Sequence, residues 1–346
     1  MADIPAYHAV ALQTRCDAVN QLSVDDARSS MLRTIARIDG QVGAAKGFIG
    51  ADTRLVVLPE YFLTSFPLGE SIEAWCAKAA LNDDGPEYAA LAALAERHDV
   101  YLAGNAYETD THFPGLYFQA SFIFAPTGER VLKYRRLVSL FAPTPHDVLD
   151  RYIDIYGPEA LFPVADTDIG RLAAVASEEI LYPEISRALA LRGAELLVHS
   201  TSEVGSPDLT PKDVAKRARA YENNVYVVSA NSAGITGIGI PSQSTDGMSK
   251  VLDYQGRVLA NAGFGESMVA AAEIDIAALR RWRRRPGMGN MLSRQRTELL
   301  ALAVDERSVY PANSLLDGET TVIPDRSHFA ATQRATIAAL ADKGLI

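Results

Sequence analysis

Three short segments end in residues whose types suit acyl-transfer chemistry. The apolar run Leu172-Ala173-Ala174-Val175-Ala176 stops at Ser177, with Glu178 and Glu179 behind it. Leu55-Val56-Val57-Leu58-Pro59 stops at Glu60, and Val131-Leu132 runs into Lys133-Tyr134-Arg135-Arg136. A serine hydroxyl is scarcely ionised near neutrality, so as a nucleophile it needs a positioned base, whereas a cysteine thiol needs only a modest push. Glu60 is the candidate base. Arg136, permanently charged and a donor only, is the candidate stabiliser of an oxyanion or carboxylate, with Lys133 as the alternative cation. His199 and His146 are candidate partners for an unorthodox Ser–His pair, although a lone histidine more often serves as a hydrogen-bonded structural residue. Lys133, Glu179, Tyr182 and His199 complete the expected substrate-binding set.

The elements that must position these residues follow from the same pattern. Residues 172–176 are apolar throughout, as in a strand covered on both faces, and Pro183 suits a first helical turn. Ile185, Leu189 and Leu191 have helical spacing, and Gly193 stops the helix before Leu196-Leu197-Val198. A side chain at such a strand-to-helix elbow projects from the carboxyl end of a sheet, where open α/β sheets bind ligands. Strands are predicted near 7–13, 54–58, 100–107, 117–125, 130–134, 171–177, 194–199, 225–231, 247–253 and 267–273. Helices are predicted near 24–46, 69–80, 86–98, 183–193, 211–223 and 276–282. Two hairpins, FIFAPTGERVLKY and SKVLDYQGRVLAN, each place glycine late in the turn. One hairpin in each half implies two sheets related by a pseudo-twofold axis, hence an α/β fold built as a four-layer αββα sandwich.

In order and spacing, LPE, KYRRL, EEILYPE, RGAELLVHS and RARAYENNVYVVSAN resemble the nitrilase, or carbon–nitrogen hydrolase, superfamily from about Tyr7 to Ala260. The resemblance implies the αββα sandwich, hydrolysis of a small non-peptide amide or nitrile, and a catalytic glutamate, lysine and cysteine. The glutamate falls on Glu60. The cysteine's place, six residues before the proline of the YPE turn, holds Ser177, and the lysine's place holds Arg136. Arginine keeps the charge but does not hand over a proton, so anion binding is retained and proton transfer lost. Glu179 matches a position often acidic in the family, where it holds the elbow, and Glu222 and Asn231 read as packing and strand-end residues. Three readings follow. One is an amidase-like hydrolase with Ser177 as nucleophile, Glu60 as base and Arg136 as oxyanion stabiliser. Another is a non-hydrolytic enzyme (hydratase, lyase or cyclase) on the same fold, and the third is a catalytically silent binding or scaffold protein.

With 346 residues, 48% of them hydrophobic and 22% charged, the chain has a globular composition and is long enough for one large or two medium cores. A formal net charge of −10 argues against a nucleic-acid or anionic-membrane surface as the main partner, and a small molecule is expected instead. The basic run Arg280 to Arg285 reads as a solvated or interface face. Cys16 and Cys76 are too few for a disulfide framework. The start MADIPAYHAVALQ lacks a basic n-region and a long apolar core, and no window approaches the roughly 18 apolar residues of a membrane span, so a cytoplasmic location is expected. HxxxH, CxxC, GxGxxG and P-loop spacings are absent, and neither cofactor nor metal is expected. Residues 1–300 are expected to form the hydrolase-like domain. Residues 301–346, with a helical stretch from Ala330 to Leu340, are expected to form a C-terminal extension that contacts a partner in a homodimer or larger homo-oligomer.

Overall fold

Strands apolar at every position need cover on both faces, which two sheets back to back with helices outside supply. The computed structural model, which describes residues 4–304 and 309–346, contains two six-stranded sheets. The first runs in the order Ala271–Ile274, Tyr7–Ala11, Thr53–Val57, Tyr101–Thr109, Tyr117–Phe124, Arg130–Arg135. The second runs Val258–Asn261, Lys250–Leu252, Tyr226–Ala230, Leu196–Ser200, Gly170–Ala176, Ala165–Thr167. Each has three parallel strands at its centre, an antiparallel hairpin on one side and a lone antiparallel strand on the other. The two halves therefore repeat one plan, as the paired hairpins imply. Their turns match closely: Gly128 and Gly256 have φ of 79° and 77°, a region glycine enters at little cost. The closing bonds, Ala125 N–H to Glu129 O and Asp253 N–H to Arg257 O, measure 2.8 and 2.9 Å.

Alternation along the strands assigns the layers. Ala9, Leu55, Val57 and Ala103 meet Leu172, Ala174, Val198 and Val228 in a core between the sheets. Val10, Val56 and Leu102 face outward, under the helices Val24–Ile49 and Pro86–His98. Ala173, Val175, Leu197 and Val227 lie under Pro183–Leu191 and Pro211–Asn223. The result is the four-layer αββα sandwich.

Most predicted elements recur within a few residues, and the departures have local causes. The strand expected over 247–253 shrinks to Lys250–Leu252, because Gly247 and Met248 take left-handed φ of 91° and 74°. The arms Ala165–Thr167 and Val258–Asn261 are too short to show a period. Leu149–Tyr156 is helical although preceded by Pro-Thr-Pro-His, which the sequence presents as loop. Residues 305–308 of the expected extension lie outside the described residues. Beyond them, Ser327–Asp342 is helical, and the segment folds back on its own chain through buried Leu315 and Phe329. Part of what was expected to serve a partner is thus intramolecular. Among the described residues no helix is long and apolar enough to cross a membrane.

Gly104 marks a place where the ring of its cross-strand partner Phe122 leaves no room for a side chain. A Cβ there would stand 2.7 Å from Phe122 Cζ and 3.1 Å from Phe62 Cε1, two residues beyond Glu60. Gly104→Ala is expected to destabilise the fold by about 1–3 kcal/mol through overpacking. An unchanged Tm would show that the Phe122 ring yields freely and that this part of the core is not close-packed.

Candidate active site

The carboxyl ends of the two central strand sets are stitched together, and that seam places Glu60. Its backbone N–H donates to Thr201 O at 3.3 Å, and the Ser200 hydroxyl donates to Leu58 O at 2.7 Å. Gln119, two strands along the same sheet, holds Glu60 and Arg136 in register: its Nε2 donates to Glu60 Oε1 and its Oε1 accepts from Arg136 Nη1, both at 2.7 Å. Arg136 Nη1 is also 3.5 Å from Glu60 Oε1. Its Nε donates to Val138 O at 2.7 Å, and Nη2 pairs with Glu178. Among the described residues Glu60 Oε2 is buried with no hydrogen-bond partner.

Ser177 ends the strand Gly170–Ala176 and begins a 3-10 turn, Ser177–Leu181, with φ of 51°. A non-glycine residue in the left-handed region costs about 1–2 kcal/mol, so the surroundings must impose it. Three side chains do. Glu179 accepts from Ala176 N–H (3.2 Å), the Tyr134 hydroxyl (2.8 Å) and the amides of Leu137 and Val138 (2.7 and 3.1 Å). Burial pushes its pKa above the usual carboxylate value, against the lowering by Arg136 and these donors. Arg219 donates to the carbonyls of Ile180 and Leu181 at 2.9 and 3.2 Å. His199 Nε2 lies 2.8 Å from Ser177 O, and its Nδ1 lies 2.9 Å from Ser229 Oγ. With a carbonyl on one side, Nε2 must carry the proton, leaving Nδ1 to accept from the serine.

Glu60, Arg136, Ser177 and Glu178 share one cavity of about 590 Å³ with a residue the sequence reading passes over, Lys212. Lys212 Nζ is 3.2 Å from Ser177 Oγ and 3.2 Å from Thr201 Oγ1. It occupies the second position of the helix Pro211–Asn223, whose Thr210 cap accepts from Asp213 N–H at 3.1 Å. Burial lowers its pKa, with Lys216 and Arg136 adding to the effect and Glu60 and Glu203 opposing it. Thr210-Pro211, a cap and first-turn proline, marks the start of this helix in the sequence but not its place beside the strand ends.

The other expected binding residues stand elsewhere. Lys133 points out of the first sheet toward Asp83 and Glu108, at 2.8 and 3.0 Å, so the substrate contact expected of it is corrected. Glu179 and His199 lie behind the elbow, where they hold backbone rather than line the cavity. Tyr182 and His146 line a neighbouring hollow of about 520 Å³ with Tyr310 and Leu340. Cys16 is buried with its thiol donating to Tyr61 O, and Cys76 is half-buried; neither is at the elbow.

Burial lowers the His199 pKa well below the ordinary imidazole value, and nearby Lys216 adds to this. The folded state therefore keeps His199 neutral while the unfolded chain protonates it below about pH 6.5, so stability falls as pH drops through that value. His199→Gln is expected to remove up to about 1.4 kcal/mol per pH unit of that slope between pH 6.5 and 5. Chemical denaturation of both proteins across this window is the measurement, and parallel slopes would refute the buried neutral assignment.

The chain matches the carbon-nitrogen hydrolase family over residues 18–284. It is 33% identical over 183 residues to the hydrolase in pqqF 5'region of Pseudomonas protegens, covering 53% of this chain and 60% of that protein, less than two thirds of its length. Over 245 residues it is 25% identical to the deaminated glutathione amidase of Yersinia enterocolitica, covering 70% of this chain and 80% of that protein. The solved carbon-nitrogen hydrolase of Helicobacter pylori shares its fold, with a TM-score of 0.65 at 22% identity over 87% of this chain and 99% of that one. The order of motifs, the sandwich and the family match agree: the chain belongs to the carbon-nitrogen hydrolase family.

Proposed function

We propose that this chain hydrolyses a small non-peptide amide through an acyl-enzyme on Ser177. The observation that carries the reading is the Ser177 hydroxyl itself, held on a left-handed elbow at the wall of the cavity and within 3.2 Å of an amine. A cavity of about 590 Å³ is in the usual range for a small-molecule site. Its upper wall is apolar and aromatic, with Tyr61, Phe66, Leu68, Tyr107 and Phe141, while the charged groups gather at the elbow. Arg326 is the exception, standing by Phe141 on the far wall, and the arrangement suits a compact acyl group with one carbonyl directed at Ser177. Family membership and the amidase among the relatives support C–N rather than ester hydrolysis.

In this reading Ser177 Oγ attacks the carbonyl carbon, the C–N bond breaks and the amine leaves with a proton. Water then cleaves the ester to release the acid. Arg136 has five N–H donors and three are engaged by Val138, Gln119 and Glu178, which leaves two for Glu60 and a developing oxyanion. Glu60 Oε2, buried and unpaired, is available to accept a hydrogen bond from the substrate nitrogen or the attacking water. Binding without turnover is the second reading. It draws on the same Arg136, held by Glu60 and Glu178 as a counter-charge.

Intact-protein mass spectrometry after incubation with a panel of small amides and nitriles separates the two. An acyl mass gain that disappears in Ser177→Ala supports hydrolysis, and Ser177→Cys should then keep or raise turnover because a thiolate forms more readily at the same elbow. Glu60→Gln is expected to lower turnover by about 10²-fold or more. Panel members that bind Ser177→Cys yet are never turned over would establish the binding reading instead.

A further inference from the structure

The proton of Ser177 needs an acceptor at the moment of attack, and the nearest one is an amine. Among the described residues Lys212 Nζ makes two hydrogen bonds, both with hydroxyls: Ser177 Oγ and Thr201 Oγ1, each at 3.2 Å. Among the described residues no carboxylate stands within ion-pair distance of it. The contrast with its neighbours is informative. Lys216, one turn further along the same helix, is paired with Glu203, and Lys250 with Asp213. Those lysines are neutralised by partners, whereas Lys212 is left facing the cavity and the elbow.

We infer that Lys212 is the general base of the reaction, taking the Ser177 hydroxyl proton and returning it to the leaving nitrogen. The inference rests on the reading of Ser177 as nucleophile. Nζ takes the Oγ proton as the Oγ–C bond forms, and the ammonium gives that proton to the substrate nitrogen as the C–N bond breaks. Water then gives a proton to Nζ as it attacks the acyl-serine carbonyl, and Nζ returns it to Oγ as the ester bond breaks. Every proton is accounted for by the amide, the serine and one water.

The charges around Nζ suit a base that cycles. Arg136, from the first sheet, and Lys216, on its own helix, disfavour the ammonium, while Glu60 and Glu203 favour it once formed. Thr201, after the strand Leu196–Ser200, fixes Nζ from the far side. The left-handed Ser177 backbone fixes the hydroxyl that Nζ meets. Lysine suits such a post because burial shifts it toward the neutral amine, which an arginine at Arg136 does not reach.

Two measurements test this. The first is acetylation of the full chain by p-nitrophenyl acetate, whose leaving group needs no proton, followed by peptide mapping. The rate of Ser177 acetylation is expected to rise with pH through one ionisation below the ordinary lysine value. It should fall about 10²-fold or more in Lys212→Met and not be restored in Lys212→Arg, since a guanidinium does not accept the proton. The second does not require a reactive serine. In Ser177→Cys, alkylation of the introduced thiol by iodoacetamide at neutral pH, located by peptide mapping, is expected to drop about tenfold when Lys212→Met is added, because the ammonium that favours the thiolate is gone. Wild-type rates in Lys212→Met, or retention in Lys212→Arg, would make Lys212 a mere counter-charge and overturn the proposal while leaving the serine reading intact. No Ser177 adduct in the wild type, together with alkylation indifferent to Lys212, would overturn both.

Discussion

A single serine held in left-handed backbone geometry is the constraint on which the cavity depends. Ser177 pays about 1–2 kcal/mol for a φ of 51°, and it keeps that geometry because its neighbours are committed to it. Glu179 is the main tie. Its carboxylate gathers Ala176 N–H from the second sheet and the Tyr134 hydroxyl with the Leu137 and Val138 amides from the first. The strand end that presents Ser177 and the strand end that presents Arg136 are therefore one rigid unit. Charge at that carboxylate is tolerable only because four donors replace the water it lost. His199, kept neutral by burial, completes the elbow by taking the Ser177 carbonyl.

Electrostatics at the seam follow from which cations can give up a proton. Arg136 is fixed in charge, anchored to Val138 and Gln119 and flanked by Glu60 and Glu178. Its positive field, with that of Lys216, reaches Lys212, the neighbouring cation able to respond by losing its proton. Arg136 at one strand end and Lys212 at a helix start are thus coupled. Acidic residues keep the balance: Glu203 and Asp213 absorb the charges of Lys216 and Lys250, leaving Glu60 to face the cavity.

Much of this was legible in the sequence because Glu60, Arg136 and Ser177 each end an apolar run, and apolar runs define strands. What was misread was mostly side-chain parity. In Arg130–Arg135, Leu132 and Tyr134 turn to the inter-sheet core, so Lys133 and Arg135 must turn away from it. In Leu196–Ser200, Leu196 and Val198 face that core, which puts His199 with Leu197 on the helix side. Counting in twos excludes Lys133 and His199 from the cavity once the core-facing residues of each strand are known, and in strands apolar on both faces only the structure supplies that. Lys212 is different. It lies 35 residues from Ser177 in a helix, PKDVAKRARAYEN, so rich in charge that no side chain stands out. Only the approach of that helix start to the strand ends distinguishes it, and that is a tertiary fact.

The cavity mouth belongs to a different part of the chain from its floor. Tyr61, Ser65 and Leu68, on the loop that follows Glu60, all take left-handed φ between 47° and 68°, so this wall too is held in a conformation it would not choose alone. Arg326, outside the 18–284 family match, does much of the holding. It donates to the carbonyls of Glu70 and Phe141 at 2.7 and 2.6 Å and to the Tyr117 hydroxyl at 3.0 Å, and it lines the cavity itself. Buried Phe329, one turn on, anchors the helix that carries it. The two wall segments, 66–69 and 139–142, are thus fastened by residues beyond the sandwich. The groups at the floor come from strand ends and a helix start that the fold fixes, whereas these two wall segments are tied through Arg326 to the start of the last helix. A change in the tail therefore acts on the wall segments at 66–70 and 139–142, not on the elbow that presents Ser177.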